Sequence, residues 1–325
     1  QPGGCRGVRV MDRVPVVDLV APSSTSLEAL DEACADHGFF LLEGHGLDGL
    51  VDRTWVACRR LFDAPRPTRE AIRRTEDRAL GWFDRELTKR TRDHKEVFDY
   101  IDPEVSTPDR ALNRWPSGLD GFEADLGAFF DGFAALAVRA ADLVHHTLGL
   151  DGATADACAG ARTSSTVRLN HYTVGDPVPV DERVGLNDLG PIALGHHTDP
   201  GVLTLLLQDD VGGLQTLDRS GDWVDVPPRP GTVVVNLGDV TQVRTNDRYR
   251  AAVHRVESLD QRDRFSIPFF SNPDRHTVVE PLADLLDGPP AYRSFRFAEL
   301  IAGRARDNYA DLGEDDLQIA HYRVA

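Results

Sequence analysis

From about residue 164 onward the chain reads as short strands cut by turns, and this rhythm narrows its possible folds more than any other feature. Segments 166–172, 203–208, 213–217, 223–226, 232–236, 252–257 and 264–270 are rich in aliphatic, β-branched and aromatic residues. Breaks such as Asp209-Asp210-Val211-Gly212 and the proline- and glycine-bearing stretch 227–231 divide them. Many short strands at this spacing imply a jelly roll or a barrel.

The first half reads differently. Residues 15–19 suggest an opening strand, and Thr25-Ser26-Leu27-Glu28 has the form of a helix capping box. Residues 38–42 look like a buried strand, closed by Gly44-His45-Gly46. Leu47, Leu50, Val51, Cys58, Leu61 and Phe62 fall on one stripe of a second helix. Residues 64–120 are charged, proline-bearing and irregular. The longest helix follows, with Leu126, Phe129, Phe130, Phe133, Ala137, Ala140, Leu143 and Val144 on the face that would brace a sheet. A further helix is expected over 294–306. Neither an internal repeat nor a clean linker divides the chain. Residues 1–325 therefore read as one unit: an N-terminal region (11–120), bracing helices (121–163), a strand-rich core (164–275) and a C-terminal segment (276–325).

Two histidines and an aspartate sit in the strand-rich half: His197-Thr198-Asp199, then His254. Alternate residues of a strand share a face, so His197 and Asp199 are expected to point the same way. Two neutral imidazoles and a carboxylate hold Fe(II) on one side and leave open positions on the other. A lone His-x-Asp is a weak signal, and neighbouring His196 shows how easily histidines accumulate. His37, His94, His145, His146, His171, His276 and His321 read as surface or satisfied core groups, and His45 as a turn residue. Past His254, Arg264 and Ser266 alternate on another strand, where a guanidinium fork and a hydroxyl suit a carboxylate.

Composition sets limits. A net charge of −17 and a pI near 5.0 disfavour nucleic acid and anionic membranes as partners. No apolar run approaches the roughly 18 residues of a membrane span. The four cysteines (Cys5, Cys34, Cys58, Cys158) lie far apart, which suits free thiols in a reducing cytoplasm. Lysine occurs only at 89 and 95, consistent with GC-rich coding, and with Met11 as the only methionine, residues 1–10 are expected to be an upstream extension of little structural weight.

With these residues in view, the chain resembles the isopenicillin N synthase-like group of Fe(II)/2-oxoglutarate dioxygenases over nearly its whole length. The likeness runs through Gly38-Phe39-Phe40, Gly44-His45-Gly46, Lys95-Glu96 and Asn113-Arg114-Trp115-Pro116. It continues through 197–209, Val211-Gly212-Gly213-Leu214-Gln215, 234–239, Thr245-Asn246 and Ala252-Val253-His254-Arg255-Val256. The resemblance implies an all-β core with flanking helices. That core would be a distorted double-stranded β-helix (jelly roll), with a helical N-terminal region and a C-terminal helix. It also implies Fe(II) on His197, Asp199 and His254, with 2-oxoglutarate and O2 as co-substrates. Arg264 and Ser266 would take the distal carboxylate of 2-oxoglutarate, joined by the Tyr172 phenol, with Asn170 nearer the metal. An aspartate at position 199 argues against halogenation.

The implied reaction is oxidation of an unactivated C–H bond of a small molecule by a cytoplasmic monomer, the substrate being a specialised metabolite or amino-acid derivative. Two alternatives stay open: an oxidase of the isopenicillin N synthase or aminocyclopropane-carboxylate oxidase type that does not use 2-oxoglutarate, and a non-catalytic metal-binding jelly roll. Substrate choice would lie in about 78–118, 173–195 and 290–325. The arginine-rich run 85–92 reads as a solvated charged helix, with a cationic lip for an anionic substrate as the rival.

Overall fold

A computed structural model of the protein describes residues 13–75, 77–88, 90–105, 112–150, 152–257, 261–305 and 317–324. In chain order its elements are β1 (Val16–Asp18), α1 (Ser24–Asp36), β2 (Phe39–Glu43), α2 (Asp48–Asp63), α3 (Arg66–Glu70), β3 (Gly81–Phe83), β4 (Leu87–Thr88), β5 (Thr91–Arg92), β6 (Lys95–Ile101), α4 (Phe122–Thr147), α5 (Gly152–Cys158), β7 (Thr166–Tyr172), β8 (Leu194–His197), β9 (Leu203–Gln208), β10 (Leu214–Leu217), β11 (Trp223–Asp225), β12 (Val233–Leu237), α6 (Asp239–Arg244), β13 (His254–Val256), β14 (Arg264–Ser271), β15 (Val278–Val279), β16 (Phe295–Arg296) and α7 (Phe297–Ala305). The result is a sheet-rich fold with helices.

Eight strands form one sheet in the order β1-β2-β12-β9-β14-β7-β6-β3, and four form a second in the order β11-β10-β13-β8. The large sheet is buried on both faces, which is why its central strands are almost wholly apolar. Phe39, Leu41, Leu206 and Val234 meet Leu194, Leu214 and Val256 of the small sheet. Their alternates Phe40, Leu42, Leu205, Leu207, Val233 and Val235 join the helix-side core, where α4 lays down Leu126, Phe129, Phe130 and Phe133. Phe130 meets Phe269 of β14 edge to face at 5.2 Å. Gly38 ends α1: its N–H bonds Ala33 O at 2.8 Å, its φ is +74°, and a Cβ there would lie 2.5 Å from Arg250 O.

All seven strands expected after residue 164 are present, two with the expected bounds and five shifted by one or two residues at one or both ends. Four expectations change. Residues 64–120 hold β3 to β6, of which β3 and β6 belong to the large sheet. All seven residues of β6 are buried, although Lys95, Glu96 and Asp99 interrupt its apolar run. Arginines from elsewhere neutralise the two acids: Arg69 pairs with Glu96, and Arg74 and Arg168 pair with Asp99. Secondly, the 85–92 run is not a helix but strands β4 and β5. Its Glu86 is buried among Arg74, Arg168 and Lys95, and its Arg92 forks onto Asp176 at 2.8 and 2.7 Å. Thirdly, the cap of α1 is Ser23, whose hydroxyl accepts from Ser26 N–H, two residues before the Thr25 box. Fourthly, 294–296 contributes to β16 rather than to α7, and Arg306 lies outside the described residues, as do Cys5, Lys89 and residues 1–10.

Among the described residues Cys34, Cys58 and Cys158 are buried free thiols, and no helix is long and apolar enough to cross a membrane.

Candidate active site

The two sheets bring the sequence-predicted residues to one cavity. His197 ends β8 and faces His254 across the β8–β13 pair, their rings 4.3 Å apart. Asp199 lies beyond the strand, in the turn where the chain leaves the small sheet for β9 of the large one. Strand alternation is therefore not what aims it; the turn is. Asp199 Oδ1 stands 3.9 Å from His197 Nε2 and 4.0 Å from His254 Nε2. One ligand atom from each of the three lies within 4.8 Å of the others.

The remaining polar atoms show why this set fits a cation. His197 Nδ1 bonds Gly195 O and His254 Nδ1 bonds Ala252 O, both at 2.9 Å. A carbonyl oxygen only accepts, so each Nδ1 carries the proton and each Nε2 turns a lone pair toward Asp199. Burial, then the adjacent His254, pushes His197 below the usual imidazole range and keeps it neutral. Burial alone would raise Asp199. His254 and His197, with hydrogen bonds from Thr204 and Asn236, hold it below the usual carboxylate range instead. Those bonds, 2.6 Å from Thr204 Oγ1 and 2.8 Å from Asn236 Nδ2, both end on Oδ2 and leave Oδ1 to face the histidines.

The other four predicted residues lie on the facing large sheet. In the β14–β7 register Arg264 stands opposite Tyr172 and Ser266 opposite Asn170. Arg264 is 1% exposed, and its guanidinium carbon lies 5.0 Å from the Tyr172 ring centre. Its Nε donates to Gly212 O at 2.8 Å and its Nη2 to Gln208 Oε1 at 3.4 Å, while Nη1 has no partner. Asn170 Nδ2 donates to Ser266 Oγ at 3.1 Å, and Asn170 Oδ1 is likewise buried without a partner. These residues line a cavity of about 70 Å³ together with His197, Asp199 and His254. A second pocket of about 340 Å³ shares His197, Asp199, Lys95, Arg168, Leu194 and Phe270 with it, and adds Leu87, Phe297 and Ile301.

Sequence reasoning missed the supports. Thr204 and Asn236 face each other in the β9–β12 register, polar residues in otherwise apolar strands, and that interruption was the available signal. Lys95 was noted without a role. It is 4% exposed, lines both cavities, and bonds Glu86 and Asp93 at 3.3 and 3.2 Å. Of the histidines set aside, His196 is exposed near Trp223, and His45 accepts a turn hydrogen bond from Leu47 N–H.

Comparison with known proteins agrees with this geometry. Residues 163–273 match the model of the 2OG-Fe(II) oxygenase superfamily, and residues 14–118 match that of the non-haem dioxygenase in morphine synthesis N-terminal region. Gibberellin 3-beta-dioxygenase 2-2 of Triticum aestivum is 34% identical over 91% of this chain and 80% of its own length. A 2-oxoglutarate-Fe(II) type oxidoreductase of Aspergillus fumigatus is 34% identical over 76% and 77%. Among solved structures, JOX2 in complex with 2OG, Fe and JA superposes with a TM-score of 0.75 at 26% identity, covering 89% of this chain and 84% of that one. With one family model in each half of the chain and a His-Asp-His cluster inside the second, the chain belongs to the 2OG-Fe(II) oxygenase superfamily and is an Fe(II)- and 2-oxoglutarate-dependent dioxygenase.

Proposed function

We propose that this dioxygenase oxidises an unactivated C–H bond of a small molecule, by hydroxylation, desaturation or ring closure. Fe(II) is held by His197, Asp199 and His254, and the distal carboxylate of 2-oxoglutarate by Arg264 and Ser266. The observation that carries the co-substrate assignment is the unpartnered Arg264 Nη1. A buried guanidinium N–H needs an acceptor, and a carboxylate supplies two oxygens in matching geometry. Tyr172 forms the floor under that guanidinium, and Asn170 extends the cradle toward the metal. Fe(II) with 2-oxoglutarate and O2 supplies the oxidising chemistry, the co-substrate leaving as succinate and CO2. The chain's own part is to orient both molecules and exclude water, which the apolar lining from Leu194, Leu206, Leu214, Val256 and Pro268 favours. The unsatisfied cradle favours this reading over oxidases that keep an Arg-x-Ser pair without using 2-oxoglutarate.

The facing sheets, with metal ligands on one and co-substrate residues on the other, support a distorted double-stranded β-helix. Strands β1, β2, β3 and β6 extend its large sheet, which supports treating residues 1–325 as one unit, acting as a cytoplasmic monomer. For the substrate we favour an anionic specialised metabolite or amino-acid derivative in the 340 Å³ pocket. There Lys95 and Arg168 are paired with carboxylates, and so is Arg304 with Asp239. Among the described residues Arg275 is the lining cation without such a partner.

Anaerobic Fe(II) plus 2-oxoglutarate should give a weak visible charge-transfer band, and air should then yield succinate. Neither signal appearing would defeat the co-substrate assignment. A panel of acids, amines and neutral compounds, scored by stimulated succinate release, tests the substrate class. Stimulation by amines alone would reject an anionic substrate.

A further inference from the structure

Phe297, Ile301 and Arg304 follow one another on α7 at spacings of four and three, so they share a face of the helix. All three line the larger pocket beside the metal ligands, and Arg304 also reaches past it. Its Nη1 donates to Thr198 O at 2.7 Å, and its Nη2 donates to Thr198 Oγ1 at 3.0 Å and Gln318 Oε1 at 2.9 Å. The same Nη2 pairs with the Asp239 carboxylate. Thr198 is the residue between His197 and Asp199. One guanidinium therefore grips the peptide that joins two of the three ligands.

The turn needs such a grip. Thr198 and Asp199 lie outside both sheets and gain no support from a strand ladder. Beyond the Thr204 and Asn236 bonds to the Asp199 carboxylate, the turn's backbone is anchored by Asp239, whose N–H donates to Asp199 O at 2.8 Å. Asp239 thus holds the turn through its backbone and holds Arg304 through its side chain. Arg304 is well buried, with 14% of its side chain exposed, and its four acceptors come from three separate segments. An arginine that only docked a helix would have no need to converge on both oxygens of Thr198.

We propose that Arg304 is a positioning residue of the metal centre, holding the His197–Asp199 turn in ligating geometry from the C-terminal helix. This rests on the reading of His197, Asp199 and His254 as metal ligands. Ligand geometry must be kept within about 0.5 Å for a site to function, and the partners that orient ligands typically contribute about 10–100-fold in metal affinity.

The test titrates Co(II) into metal-free, full-length protein, following the visible cobalt bands, and separately records thermal unfolding without metal. Arg304→Met should bind Co(II) about 10–100-fold more weakly than wild type. Arg304→Lys keeps a charge beside Asp239 but cannot span the same acceptors, so it should fall between the two and preserves the fold if the Met variant does not. Leu300→Ala, on the same helix but buried in the core, should lower the unfolding temperature and leave Co(II) affinity unchanged. Wild-type affinity in both Arg304 variants overturns the proposal. So does a Leu300→Ala variant that loses as much affinity as Arg304→Met, because helix docking alone would then explain both. A wild-type protein that fails to bind Co(II) removes the metal reading, and the proposal with it.

Discussion

Arg168 and Arg264 stand on adjacent strands of the large sheet, yet their surroundings are opposite. Arg168 meets two carboxylates: Nε and Nη2 bond Asp99 at 2.7 and 2.9 Å, and Nη1 and Nη2 bond Glu86 at 2.8 and 2.9 Å. Arg264 meets only the neutral oxygens of Gly212 and Gln208 and keeps one nitrogen unpartnered. Burying a charge is costly unless an opposite charge and hydrogen bonds compensate. Arg168 is compensated within the protein and belongs to its architecture. Arg264 has no carboxylate partner within the protein, and in the proposed function the co-substrate's carboxylate compensates it.

The severest perturbation is at the metal. Asp199→Ala and His254→Ala should each reduce turnover to the assay floor with unchanged circular dichroism; residual full activity in either would refute the ligand set. Next, Arg168→Met leaves Glu86 and Asp99 buried without their main partner and should destabilise by about 3–5 kcal/mol in urea unfolding. Arg264→Met should cost little stability without co-substrate. It should, however, lose about 1.3–2.3 of the roughly 2.7 kcal/mol that 2-oxoglutarate at 100 times the wild-type Kd confers on wild type. If both variants lose stability equally in the absence of ligand, the contrast between the two arginines fails. The same Arg264→Met should raise the KM for 2-oxoglutarate about 10–100-fold, as expected from losing a charged hydrogen bond of about 1.5–3 kcal/mol.

The smallest effect concerns pH. Burial would raise Glu86, but Arg168, Lys95 and Arg74 hold it below the usual carboxylate range. Its contribution to stability is present above an unfolded value of about 4.3 and is lost as pH falls through the folded one. His171 is raised: burial opposes this, and Glu96 and Asp263, at 2.8 and 2.9 Å, prevail. Its contribution is present below about pH 6.5 and is lost as pH rises through the folded value. Melting temperatures measured from acid to alkaline pH should therefore decline on both sides. His171→Gln should flatten the alkaline decline alone; an unchanged alkaline limb would count against the ion pair.

Legibility divided along similar lines. Seven strands after residue 164 were readable because their apolar runs and Gly/Pro breaks are local signals, whereas the two-residue β15 and β16 carry no such run. Strand β6 was not readable, because Lys95, Glu96 and Asp99 look solvent-facing until Arg69, Arg74 and Arg168 are brought to them. The arginine-rich run 85–92 failed for the same reason. The capping box at Thr25 was misplaced by two residues, since Ser23 offers an equally good hydroxyl and only the chain's path selects between them.

By itself the sequence supplied the candidates: which side chains are available to hold a metal and, in the proposed function, a carboxylate. Side-chain identity and local spacing were enough to single out His197, Asp199, His254, Arg264 and Ser266, whereas Asn170 and Tyr172 came in only through the family resemblance. The tertiary structure decided which charges are compensated and which are left open. That depends on approaches between residues far apart in sequence, such as Arg168 to Glu86 or Arg304 to Thr198, and no local pattern encodes the distance between them.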